Sequence, residues 1–301
     1  MDYNDVVRPF GCASIEDWEK AYKQELTDFF KGLEFDSDTS ETSVAFEDEI
    51  PVETNTLLDS RFSELDQTEI NRVQEILLGP WTEDVIQDKY NTEITKRKLK
   101  CLGCETWLND EVINFYMNML QQRDISLCML NKNRRKSHFF NSFFVERLLV
   151  TDGCYKYESV KRWTKTFTIF EMDKMFFPIN ICNSHWTLAV VYPPKKRIEY
   201  FDSSGGNGQI YRNGLLRWIK DEADKNGLCL IIDEWTTYSR SHEIPQQVND
   251  WDCGMFAIIA ADFLSDNLPL HYTQNDMPSF RLKVGLRILN GCLEYPLYSS
   301  T

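Results

Sequence analysis

The sequence predicts an α+β fold. Strand-like runs gather in the middle of the chain, amphipathic helices stand before, between and after them, and one nearly all-apolar helix follows the strands. Taking the elements in order, Asp66 with Glu69 forms a cap for a helix through Ile70, Val73, Ile76 and Leu77, stopped by Gly79 and Pro80. Residues 91–102 are mixed, with an edge strand around Ile94. WLNDEVINFYMNML (107–120) reads as a helix capped by Asn109 or Asp110, with Leu108, Val112, Phe115, Tyr116, Met119 and Leu120 on its buried face. MFFPINI, HWTLAVVY and RIEYFDSS, within 174–204, read as strands, and the last two flank a turn at 193–196. A helix is expected around 215–223, then further strand material at 228–232 and 235–239. PQQVNDWDCGMFAIIAADFL (245–264) passes from polar turn to a buried helix that starts near Asp252 or Cys253.

Charge divides the chain. Residues 1–60 carry 16 Asp and Glu against 4 Lys and Arg, and the remainder carries 31 against 29. The first part reads as an acidic segment (1–65) with one amphipathic helix at 14–33 and a Ser/Thr-rich linker at 35–60. A short apolar patch at 43–52 lies inside that linker. A segment of this kind is expected to bind a partner or direct location, and the domain proper is expected at 66–301. No basic footprint of a nucleic-acid binder is present; KNRRK at 132–136 is too short to track a backbone and reads as a solvated loop. No apolar run is long enough to span a bilayer, and no signal peptide is evident. With nine cysteines, an odd count, these features predict free thiols in the nucleus or cytoplasm. Cys101 and Cys104 form a lone CxxC with no second pair to complete a zinc site, so no metal or cofactor is expected.

Cys253 is the first candidate for chemistry. At a helix start, unpaired backbone N–H groups and the positive end of the dipole favour a thiolate over a thiol. Gly254, with no side chain, leaves room beside it. A thiolate nucleophile needs a histidine to move its proton and a group to fix that histidine. Of four histidines, His138 and His271 have no neighbouring acid in sequence, and His242 lies in a polar loop beside Glu243. His185 opens an apolar strand. A hairpin centred on 193–196 sets Asp202 opposite Thr187 and one diagonal step from His185, where its carboxylate can hold the imidazole N–H. Asp252, next to Cys253 in sequence, is poorly placed to reach the far side of that ring. Gln247, in the loop feeding the helix, can donate to an oxyanion alongside the Cys253 N–H.

Read together, WLNDEVINFYMNML, SHWTLAVV, YFDSS and PQQVNDWDCGMF resemble, in content and order, the ubiquitin-like-protein-specific cysteine proteases, and among them the SUMO (sentrin)-specific branch. The resemblance runs from about Ile94 to the C-terminus and is absent from residues 1–65. It implies a papain-like fold: a central mixed sheet with the nucleophile at the N-terminus of a buried helix. It also implies catalytic roles for Cys253, His185 and Asp202, with Gln247 in the oxyanion hole. Trp107 and Trp186 are implied to be two indole walls of a slot that admits only a Gly-Gly tail. The expected partners are SUMO or a related modifier and its conjugates. A protease for a Nedd-type modifier, a catalytically silent adaptor and an acyltransferase on the same residues are the alternatives.

Overall fold

The protein is described by a computed structural model at residues 61, 63–150 and 154–293, all within one unit that spans 56–301. The helix expected at 14–33, the linker at 35–60 and the patch at 43–52 lie outside the described residues.

Helix α1 (Gln67–Leu78) begins on the expected reciprocal cap. The Asp66 carboxylate accepts from Glu69 N at 2.8 Å, and the Glu69 carboxylate accepts from Asp66 N at 3.0 Å. It stops at Gly79. A hairpin follows, β1 (Val85–Lys89) and β2 (Thr92–Thr95), turning through Tyr90 and Asn91 with φ of 59° and 55°. Only its second strand was legible as a strand, because β1 buries no residue fully and lacks alternation. A short helix, α2 (Lys96–Leu99), and a 3-10 turn over Lys100–Leu102 then lead toward Trp107.

Helix α3 (Asp110–Leu130) is capped by Asn109, whose side chain accepts from Val112 N at 2.8 Å. It runs ten residues beyond the expected end at 120. Its second half buries Arg123 and Asp124, polar groups that apolar periodicity does not reveal.

The main sheet is built from β3 (His138–Phe139), β4 (Met175–Ile181), β5 (His185–Tyr192), β6 (Arg197–Phe201) and β7 (Thr236–Ser239), in that spatial order. The outer pairs, β3–β4 and β6–β7, are parallel; the inner ones are antiparallel hairpins. Pro178 is tolerated within β4 for a local reason. The Phe176 carbonyl accepts from Phe140 N, so by strand alternation the Pro178 nitrogen also faces the β3 side, past the end of that two-residue strand.

Side chains alternate across the sheet. Phe176, Leu188, Val190 and Phe201 face α3, α6 (Cys253–Ser265) and α7 (Met277–Asn290). Phe177, Ala189, Val191, Ile198 and Tyr200 face α4 (Phe143–Leu148) and α5 (Gln209–Lys225). Helix α6 is buried at every residue except Leu264, as its nearly all-apolar sequence requires, and the two polar residues it buries, Asp262 and Ser265, are hydrogen-bonded. The outcome is α+β, with a mixed sheet between helical layers.

One expected strand is absent. Residues 228–231 form no strand, and Ile232–Glu234 is a 3-10 turn. The end of α5 takes up part of this stretch: Gly227 sits at φ 67°, and Leu228 N closes onto Ala223 O at 2.9 Å. Leu228 and Ile231 are exposed, so no core contact draws them into the sheet. Thr236–Ser239 alone forms the strand.

Candidate active site

Cys253 is the first residue of α6 and is 1% exposed. Asp252 precedes it without capping the helix, so the dipole's positive end is directed at the thiol. The β5–β6 ladder pairs Leu188 with Phe201 and Ala189 with Tyr200, the register that the turn predicted. It continues to place Asp202 across from Thr187. From there Asp202 Oδ1 meets His185 Nε2 at 2.8 Å and also accepts from Ser204 N at 2.8 Å. With Nε2 on the carboxylate, Nδ1 is the ring nitrogen left to exchange a proton with Cys253.

Burial alone would lower the His185 pKa. The hydrogen bond and charge of Asp202, together with the nearby Cys253, overcome it and raise the ring to about 9. The imidazole is therefore an imidazolium at neutral pH, the form that stabilises an adjacent thiolate. His138, by contrast, packs between Phe140 and Phe167, and burial pulls its pKa down to about 4.

The linkage has a definite sign. A folded-state pKa above the unfolded value stabilises the fold below about pH 6.5, and that contribution is lost as pH rises towards 9. Activity that needs the imidazolium should fall over the alkaline end of the same window. Asp202→Asn removes one carboxylate that sustains the charge, so the alkaline limb of kcat/KM should move to lower pH and kcat should drop by about 10²-fold or more. A pH–rate profile whose alkaline limb stays in place would show that Asp202 does not tune His185.

Gln247 is fixed on three sides. Its backbone N donates to Ser203 O at 2.9 Å, its Oε1 accepts from Ser203 Oγ at 2.6 Å, and its Nε2 donates to Asn249 O at 2.6 Å. One amide N–H remains for an oxyanion.

The two tryptophans differ. Trp186 is 4% exposed and donates from Nε1 to Leu108 O at 2.9 Å; Trp107 is 54% exposed and donates to Asp250 O at 2.6 Å. Both line a cavity of about 320 Å³ together with Asn109, Asp110 and Ser184. The helix start lies hard against the same wall, since a Cβ on Gly254 would come within 2.9 Å of Leu108 Cβ. Glycine at this position is thus required by packing. Among the described residues no group of three or more His, Cys, Asp or Glu is placed to hold a metal ion.

Asp252 is turned away from His185. Its carboxylate accepts from Arg281 Nε at 2.8 Å, Asn249 Nδ2 at 2.8 Å and Gln274 Nε2 at 2.6 Å. This explains why it does not compete with Asp202. Arg281 and Gln274 escaped the sequence reading because they lie beyond α6, in stretches with no motif.

A model of the Ulp1 protease family, C-terminal catalytic domain, matches residues 106–293. Sentrin-specific protease 2 of Pongo abelii is 39% identical over 214 residues, covering 70% of this chain and 34% of that protein. Ubiquitin-like-specific protease ESD4 of Arabidopsis thaliana is 37% identical over 204 residues, covering 66% of this chain and 40% of that protein. The match therefore spans less than half the length of either relative. The X-ray structure of the C-terminal Ulp1 protease domain in complex with SMT3, the yeast orthologue of SUMO, is 28% identical with a TM-score of 0.64, over 76% of this chain and 97% of that one. The fold is thus the expected papain-like one. The family match takes in Cys253, the His185–Asp202 hairpin, Gln247 and both tryptophans, and with it the conclusion is plain: the chain belongs to the Ulp1 protease family, through that family's C-terminal catalytic domain.

Proposed function

We propose that this chain is a cysteine isopeptidase that releases SUMO from lysines and trims SUMO precursors, cleaving after the terminal Gly-Gly. The observation that carries the reading is the His185–Asp202 hydrogen bond, with the ring under the electrostatic influence of Cys253 at the helix start and a cavity walled by Trp107 and Trp186 alongside. The names of its relatives, sentrin-specific and ubiquitin-like-specific proteases, support the substrate class.

The Cys253 thiolate attacks the terminal Gly carbonyl, and the oxyanion is met by the Cys253 N–H and the remaining Gln247 amide proton. The C–N bond breaks as His185 gives its proton to the leaving lysine amine, producing a thioester. Water, deprotonated by His185, then attacks the thioester; the C–S bond breaks and the thiolate returns. Asp202 holds the ring through Nε2 in both halves. Five exposed thiols among the described residues suit a reducing compartment, nucleus or cytoplasm.

The test sets C-terminal conjugates of SUMO, a Nedd-type modifier and ubiquitin side by side. Preference for SUMO supports the reading. Preference for the Nedd-type modifier would move the substrate to a sister class, and no cleavage of any would leave a binding module.

The slot makes a separate prediction. Trp107→Ala should lower turnover by about tenfold or more, since an unheld tail misplaces the scissile carbonyl. Far-UV circular dichroism should stay near wild type because the ring is half exposed. Trp186→Ala should lose turnover and also about 3 kcal/mol of stability, the usual cost of truncating a buried aromatic. Full activity in a folded Trp107→Ala protein would reduce this tryptophan to surface.

A further inference from the structure

Arg281 lies on α7, far from Cys253 in sequence, and is 5% exposed. A guanidinium has five N–H donors in a rigid plane. Here all are taken. Nε donates to Asp252 Oδ1 at 2.8 Å; one terminal nitrogen donates to Cys101 O and Gly103 O, each at 3.0 Å. The other donates to Thr106 O at 2.8 Å and Trp251 O at 3.2 Å, and lies 2.7 Å from Asp252 Oδ1.

The acceptors belong to two separate parts of the site. Cys101, Gly103 and Thr106 form the loop that ends at Trp107. Trp251 and Asp252 lead directly into Cys253. A third part joins through Asp252, whose Oδ2 accepts from Gln274 Nε2, while Gln274 Oε1 accepts from Val248 N at 3.0 Å. Val248 follows Gln247. Asn249 adds a further tie, donating to Asp252 Oδ2 and accepting from Asp252 N at 3.0 Å.

We propose that Arg281 is a positioning residue for the reaction. Through Asp252 and Gln274 it locks the Trp107 wall and the Gln247 loop to the start of the Cys253 helix. The inference rests on the function proposed above. It assigns Arg281 no contact with substrate; its effect is the spacing between slot, oxyanion donor and nucleophile. Lysine cannot replace it, because one ammonium cannot span acceptors on both loops.

The experiment compares two reactions of the full chain. Hydrolysis of a SUMO C-terminal amide needs slot, oxyanion donor and nucleophile in register. Alkylation of Cys253 by iodoacetamide, followed by peptide mapping, needs only the thiolate and His185. For Arg281→Lys, kcat should fall by about tenfold or more with KM within about threefold, and the alkylation rate should stay within about threefold of wild type. Combined with Trp107→Ala, the losses should be less than multiplicative, because Arg281 acts through that wall.

Gln274→Ala serves as the second variant: it breaks only the tie to Val248 and one bond to Asp252. It should lose about threefold to tenfold in kcat with its unfolding midpoint near wild type. Unchanged kcat in Gln274→Ala, even if Arg281→Lys fails to fold, would overturn the proposal. So would equal losses in hydrolysis and alkylation, which mark a merely structural role. Failure of the proposed function is read separately, from wild type on the modifier panel.

Discussion

Cys253→Ala should remove hydrolysis down to background while leaving the protein folded and able to bind its modifier. Loss of a catalytic nucleophile costs on the order of 10⁶ in kcat where it has been measured in a triad enzyme. Stability should change little, since the substitution deletes one sulfur at a helix start where the thiol fills little space. The control lies in the other cysteines. Cys104, Cys154, Cys182, Cys229 and Cys292 are exposed, whereas Cys253 is buried. A general maleimide should therefore label the exposed thiols first. A modifier carrying a C-terminal electrophile should label Cys253, because its tail enters by the slot. Adduct at any other cysteine, found by peptide mapping, would remove the central chemical assignment.

The sequence was most informative where local chemistry and geometry are the same thing. The Asp66–Glu69 cap, the turn at 193–196 and the apolar run after Cys253 each specify their own structure within a few residues. The hairpin is the clearest case. Fixing the turn fixes the register, and the register alone brings His185 to Asp202. The buried polar residues were not legible. Arg123 and Asp124 interrupt the apolar periodicity of α3, so hydrophobic spacing alone ends the helix early. Their partners, Asp262 and Ser137, lie outside that helix, on α6 and in the loop before β3.

Asp252 shows the same limit within the site. Sequence adjacency to Cys253 argued against a role as the histidine partner, and the structure agrees. What adjacency could not reveal is that Arg281 and Gln274 come from beyond α6 to take that carboxylate. The flat sequence between 228 and 232 misled in the opposite direction: apolar residues suggested a strand, yet Leu228 and Ile231 have no core to enter.

Asp262 should be the most costly stability substitution in the described unit. It lies on α6 and is fully buried, with three guanidiniums around it. Arg61 Nε and Arg123 donate to Oδ1 at 2.9 and 2.7 Å, Arg287 donates to Oδ2 at 3.3 Å, and Tyr116 OH donates to Oδ2 at 2.9 Å. Burial alone would raise its pKa; Arg123, Arg61 and Arg287 outweigh that and hold the carboxyl well below the usual carboxylate range. A depressed folded pKa contributes stability above the unfolded value near 4, and the contribution is lost as pH falls below it. Asp262→Asn keeps the shape and removes the charge, leaving buried guanidiniums without their shared anion. Breaking a buried pair in this way costs about 3–5 kcal/mol, a large part of a typical domain's 5–15. In urea melts the midpoint should fall while the slope stays constant, with the acid sensitivity reduced. Arg61→Gln should reproduce a smaller part of the loss, since Arg123 and Arg287 remain. The same reasoning applies to a chain cut at Asp66. It retains Cys253, His185, Asp202, Gln247 and both tryptophans, but it loses Arg61, which is 3% exposed and whose carbonyl accepts from Lys283 Nζ at 2.5 Å. A chain starting before Arg61 should therefore be more stable than one starting at Asp66. Equal urea midpoints for the two, or an Asp262→Asn protein as stable as wild type, would show that the ion cluster contributes nothing net to the fold.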